Sequence, residues 1–278
     1  MLLAIDSVAA ESSNAAVRDG RVEAELISKH TALVPGETAL LGLRLTMDEG
    51  WHTYWSNPGD SGMATSITWN LPEGFAAHGI DWPAPDYYDV GGLASYAYEG
   101  QILLPVRIDV PKDITGDEVT LKATADWLVC KEQCEPGTAD LAITLPVAST
   151  PADVSVDPAN QPLFAWAEAR QPQPIIEDRV TALRQGETYT LTVRNVLANP
   201  EHAETITARF FPNDPMAIAM GETQHHEFIH DGGVRIMLAA NPLSDPPSRL
   251  QGVLVLRQGD QLQANEIDVP LRNVAAGS

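Results

Sequence analysis

Both cysteines of this 278-residue chain lie in one short stretch, "DWLVCKEQCEPG" (126–137), with three residues between Cys130 and Cys134. Residue types and spacing leave three chemistries open: a structural staple, half of a metal site, or a pair that cycles between dithiol and disulfide. A disulfide closing so small a loop removes little unfolded-state entropy, about 2 kcal/mol, and would stabilise more by joining distant strands. Two thiolates make half of a tetrahedral site, and no second CxxC or CxxxC exists. His225, His226 and His230 of "HHEFIH" could lend imidazoles to copper or zinc, but they belong to the other half of the chain. Exchange requires two thiols that meet at disulfide distance and a sulfur that a partner can reach. Asp126, Glu132 and Glu135 surround the pair and only Lys131 opposes them. Negative neighbours disfavour the thiolate, so these thiols are not expected to be strongly acidified and should react selectively with a docked partner. Neither a Ser-His-Asp set nor a carboxylate pair stands out as a rival site.

The elements that must position the pair are strands. Leu41, Leu43, Leu45 and Met47 alternate with Gly42, Arg44 and Thr46. In "VTLKATADWLV" Val119, Leu121, Ala123, Ala125, Trp127 and Val129 share one face. Parity then puts Cys130 with Lys122, Thr124 and Asp126, on the polar side, so it is expected near the surface. "LAITLPV" continues the pattern beyond Pro136-Gly137, and 21 prolines with 20 glycines supply the turns. A second set of strands runs through "ETYTLTVRNV", "ETITARFF", "GGVRIMLAA" and "QGVLVLRQGDQLQANEIDVPL", with a hairpin turn at "RQGDQ". Between the sets, residues 149–178 are Pro-rich with a short helix around "PLFAWAEAR". Two stretches 150 residues apart echo each other, "TALVPGETALLGLR" (31–44) and "TALRQGETYTLTVR" (181–194). The echo is either a local hairpin coincidence or the mark of two related sandwiches.

The expected fold is all-β: two antiparallel immunoglobulin-like β-sandwich domains joined by a Pro-rich linker with a short helix. The expected boundaries are a disordered segment at 1–19, a redox sandwich at 20–148, the linker at 149–178 and a second sandwich at 179–278. Composition excludes other classes. Seventeen Lys and Arg against 38 Asp and Glu give a formal charge of −21, which repels nucleic acid and anionic membranes. No apolar run is long enough to insert into a membrane, and "MLLAIDSVAA" lacks the basic start of an intact signal peptide.

"WLVCKEQCEPG", together with "GWHTYWSNPGDSGMATSITWNLPEGF", "WPAP" and "YAYEGQILLPV", resembles the exported amino-terminal region of the DsbD-type thiol–disulfide interchange proteins. The resemblance leans towards the ScsB-like branch linked with copper tolerance, and it is good over residues 20–148 and looser beyond. It implies a periplasmic protein-disulfide reductase that works without a cofactor and is tethered to the inner membrane through missing C-terminal domains. A membrane-embedded electron-donor domain of the same full-length protein would reduce the pair, which would then reduce periplasmic thioredoxin-like proteins. Carried over to these positions, Cys134 attacks the partner disulfide and Cys130 resolves the mixed disulfide. Local charge argues the other way, since Lys131 adjoins Cys130 and Glu135 adjoins Cys134. The family also shields its pair with an aromatic cap. Tyr87 and Tyr88 of "APDYYDVGGLASYAYEG" are the candidates here, with His52 and Tyr54 of "GWHTYW" beside the site. The plainer possibility for those two is an ordinary strand whose Trp51 and Trp55 enter the core.

Overall fold

A computed structural model describes residues 15–197 and 205–274. Its first strands are β1 (Val17–Asp19), β2 (Val22–Ser28), β3 (Thr38–Met47), β4 (His52–Gly59), β5 (Ser66–Asn70) and β6 (Ala76–Ile80). They continue with β7 (Asp86–Val90), β8 (Leu93–Glu99), β9 (Gln101–Asp109), β10 (Glu118–Cys130) and β11 (Cys134–Pro146). Antiparallel pairing assembles two sheets, β1-β2-β3-β9-β6 and β11-β10-β4-β8-β7, with β5 also paired to β10. Their apolar faces meet. Leu41, Leu43 and Leu45 from one sheet and Leu121, Ala125 and Trp127 from the other are all 0% exposed, as period-2 alternation demands. Residues 1–14, most of the segment expected to be disordered, lie outside the described residues. Val17–Asp19, by contrast, already pairs with Val22–Ala24.

The remaining strands are β12 (Gln173–Pro174), β13 (Val180–Gln185), β14 (Thr188–Val193) and β15 (Thr207–Pro212). They end with β16 (His225–Ile229), β17 (Gly233–Ala239), β18 (Arg249–Gln258) and β19 (Gln261–Asn273). The pairing order is β15-β18-β19-β13-β14-β17-β16, with β12 also on β19. The long β19 serves two neighbours: up to Pro270 it pairs antiparallel with β18, and Leu271–Asn273 run parallel to β13. The sheets are antiparallel as expected, with two short parallel pairings added, β12 with β19 and β13 with β19.

That detail decides the sequence echo. Leu33 makes a parallel bridge to Val147, just past β11, and its counterpart Leu183 pairs in parallel with Arg272 of β19. The shared glycine follows in both, Gly36 at φ +82° and Gly186 at φ +62°, left-handed values that a residue with a Cβ resists. The chain then enters β3 or β14, where Leu41 and Leu191 are both 0% exposed. One local sequence plays the same part twice. It lies beside the last strand, turns, and feeds a central strand.

The linker is docked. Helix α1 (Gln161–Ala169) starts with a proline in its first turn, where the missing N–H is not needed. It buries Phe164 and Ala167 against Ile27 and Leu103 on the outer face of the first sheet. The two sandwiches also share one apolar core. Phe211 of β15 packs edge-on against Tyr96 (4.9 Å) and Trp55 (6.3 Å) of the first, and buried Asn57 donates Nδ2–H to the Pro212 carbonyl at 2.7 Å.

Candidate functional site

Strands β10 and β11 form a long hairpin whose register runs from Glu118↔Pro146 to Cys130↔Cys134. Lys131–Gln133 close its tip, with the Lys131 amide donating to the Gln133 carbonyl at 3.1 Å. Cys130 and Cys134 are thus direct cross-strand partners, Cα atoms 4.1 Å apart, and they form a disulfide. Three pairs further in, Trp127 faces Gly137. A Cβ on Gly137 would come within 2.4 Å of the Trp127 indole nitrogen. The Trp and Gly of the motif are therefore one packing unit that anchors the hairpin below the disulfide at its tip.

The two sulfurs differ in surroundings. Cys134 is exposed, whereas Cys130 is only 3% exposed. The parity reading of β10 holds, since Cys130 is on the face opposite the main core, but the expectation that it lies near the surface does not. Other strands cover that face. Cys130 is the register partner of His52 in β4 and joins a small apolar cluster with Tyr54 and Ala97, against which Tyr88 and Leu128 pack.

Strand alternation explains the cover. In β4, Thr53 and Trp55 turn to the core while His52 and Tyr54 turn to the disulfide face, at 4% and 2% exposure. His52 Nε2 is 3.3 Å from the Tyr54 hydroxyl, and its ring stacks on Tyr88 with centroids 5.9 Å apart and planes 12° apart. Gly62 lets the following loop lie flat on Tyr54, since a Cβ there would sit 2.4 Å from the ring. Burial lowers the His52 pKa, so the imidazole is held neutral, and burial raises that of Tyr54. Burial also pushes the Tyr88 phenol well up, helped by Asp86 and Glu99 and opposed by Arg170 and Arg257. Both phenols stay uncharged, and the cover is a neutral aromatic lid.

The structure brings Cys130, Cys134, His52, Tyr54 and Tyr88 together and separates Tyr87 from them. In β7 the register sets Tyr88 opposite Ser95 and Tyr87 opposite Tyr96, so the two tyrosines point to opposite faces. Tyr87 is instead gripped by Arg209 of β15, whose guanidinium carbon lies 3.5 Å from the ring centroid. Three features are invisible to a reading of the sequence. Arg21 brings a positive charge to Glu135, Nε to Oε2 3.9 Å, so Lys131 is not alone in opposing the local acids. Lys131 itself donates Nζ–H to the Glu49 carbonyl at 3.2 Å. Arginines also surround the cap strand β7, and no local pattern announces them. His225 and His226 lie on β16, with His226 edge-on to Phe228 at 5.5 Å. Among the described residues no cluster of three or more His, Cys, Asp or Glu could hold a metal, and no helix is long and apolar enough to cross a membrane.

Residues 23–146 match the family model described as the N-terminal region of the thiol:disulfide interchange protein DsbD. No curated protein matches the chain in sequence. Among solved structures, the N-terminal periplasmic domain of ScsB from Proteus mirabilis is 13% identical, with a TM-score of 0.63 over 92% of this chain and 98% of that one. That likeness carries the fold of both halves. The I67–I69 fragment of titin (12% identical, 92% of this chain and 67% of that one, TM-score 0.21) and the D00-D0 domain of intimin (9%, 88% and 98%, 0.22) are too distant to argue from. Over residues 23–146, the disulfide hairpin included, this chain is similar to the DsbD N-terminal domain, and the match supports a thiol–disulfide interchange domain.

Proposed function

We propose that the Cys130–Cys134 pair is a periplasmic protein-disulfide reductant that passes two electrons to thioredoxin-like partners. The observation that carries this is the unequal burial of the two sulfurs, one exposed and one beneath a neutral aromatic lid. In the reduced state the Cys134 thiolate attacks the partner's disulfide. A Cys134–partner bond forms and the partner's other sulfur leaves as a thiolate. The Cys130 thiolate then attacks Cys134, re-forming the intramolecular disulfide and releasing the partner as a dithiol. Two electrons have left the pair, and a membrane-embedded donor domain of the same protein restores them. Exposure favours Cys134 as the attacking sulfur, whereas adjacent charge favours Cys130. Access decides, because an ionised sulfur that no partner can touch does no chemistry. In this reading residues 20–148 are the redox module, 149–178 the linker and 179–278 an accessory module.

Cys130→Ser, which keeps Cys134, should trap a covalent complex with a periplasmic thioredoxin-like protein that dithiothreitol releases, and Cys134→Ser should trap far less. Strong trapping through Cys130 alone would reverse the assignment; none through either variant would end the exchange reading. Mild reductant should open the disulfide without unfolding the protein, because the small loop contributes only about 2 kcal/mol.

A further inference from the structure

The lid over Cys130 depends on Tyr88, and Tyr88 sits on β7, the edge strand of its sheet. An edge strand has one neighbour, here β8, and needs another hold to stay in place. Three arginines from outside the sheet supply it. Arg257 near the tip of β18 pairs with Asp86, which Arg170 at the end of α1 also approaches, Nη1 to Oδ2 3.3 Å. Arg170 further donates Nη1–H to the Ala84 carbonyl at 3.1 Å, just before β7 begins. Arg209 lies over the ring of Tyr87, the residue before the lid tyrosine. Between the back of β7 and β15 and β18 remains a cleft of about 210 Å³ lined by Asp86, Tyr87, Arg209, Phe211 and Arg257.

We propose that Arg257 and Arg209 of the second sandwich, with Arg170 of the linker, are positioning residues that hold β7 so that Tyr88 stays over Cys130. The second sandwich, which carries no cysteine, thereby sets how often the lid opens. The inference rests on the exchange reading of the pair, but its mechanics are those of a strand held at its edge. A guanidinium on a carboxylate and another on an aromatic face are directional contacts that lysine reproduces poorly. The apolar contacts of Phe211 with Trp55 and Tyr96 use none of these arginines and should keep the two sandwiches together in the single and double variants alike, so the variants report on the strand and not on folding.

The test uses the whole oxidised chain with two readouts: the rate at which dithiothreitol opens the disulfide, and the NMR shifts of the His52 ring protons, which sense the stacked Tyr88 ring. Asp86→Asn keeps the shape of the side chain and removes the charge that two arginines hold. It should speed opening roughly fivefold, the scale of a weak ion pair lost, and move the His52 shifts towards those of Tyr88→Ala. Arg209→Gln combined with Arg257→Ala should do the same or more, and restoring Arg257 in that background should recover part of the effect. If both variants keep wild-type rates and shifts while Tyr88→Ala alters both, the lid stands without the second sandwich and the proposal is overturned. Neither readout involves a partner protein, so failure here leaves the exchange reading standing, and failure of partner trapping leaves this test intact.

Discussion

Each sandwich closes with a hairpin, and the two hairpins differ where it matters. In the first, Cys130 and Cys134 face each other across a three-residue tip. In the second, Gln258 and Gln261 face each other across Gly259 and Asp260, with Gly259 at φ +57°. Three pairs below each tip a large residue lies opposite a small one, Trp127 over Gly137 and Val255 over Ala264. The scaffold is the same; the surroundings of the tip are not. Gln258 and Gln261 are both exposed, while the first tip is roofed on one side by His52, Tyr54 and Tyr88. A hairpin tip is a place to put two cysteines, and the lid is what makes them unequal.

The strongest way to break the first hairpin is at its anchor. Gly137→Ala drives a methyl into the Trp127 indole, and overpacking of this kind costs about 1–3 kcal/mol. A lowered melting temperature of the oxidised protein would show it, and an unchanged one would mean that the indole moves aside freely. The contrast between the tips sharpens if the pair is moved. With Cys130→Ser and Cys134→Ser in place, Gln258→Cys and Gln261→Cys should give two thiols that iodoacetamide modifies at similar rates. In the native pair Cys134 should react about tenfold faster than Cys130, equivalent to about 1.4 kcal/mol of cover. Similar rates at both native sulfurs would dissolve the distinction. Smaller still, Tyr88→Ala should raise the Cys130 rate several-fold and leave Cys134 nearly untouched, as peptide mass spectrometry of the labelled protein can resolve.

The least effect is expected from pH. Burial lowers the His52 pKa, so as pH falls below about 6.5 the unfolded chain takes up a proton before the folded one does. Stability is then lost progressively between the ordinary histidine value and the lower folded value, and above that window His52 contributes no pH dependence. Melting temperatures of wild type and His52→Gln should coincide in slope above the window and diverge within it, the wild type falling faster. Parallel curves throughout would show that the imidazole takes its proton as easily folded as unfolded.

Alternation within a strand is written in the strand itself, and that much could be read. The inward set from Val119 to Val129, the "RQGDQ" turn and the short helix all follow from local pattern. The burial of Cys130 could not, because parity names the face of a side chain but not what lies above it. The lid comes from β4 and β7, which are tens of residues away and paired in a register that composition does not encode. The same register separates Tyr87 from Tyr88, neighbours that look interchangeable in "DYYD". Arg209, Arg257 and Arg170 are single charges in otherwise ordinary segments, and only tertiary approach gives them a shared target. The parallel run of Leu271–Asn273 beside β13 was likewise hidden, since β19 outruns β18 and its change of partner leaves no local signature.

Phe211 between Trp55 and Tyr96 has a consequence for how the molecule comes apart. Aromatic burial across that seam couples the two sandwiches, so calorimetry should record one unfolding transition in place of two. A chain cut within residues 149–178 would present a bare aromatic face on the first piece, prone to self-association. Its amide protons along β7 and β8 should exchange with deuterium far sooner than those in the interior of β10.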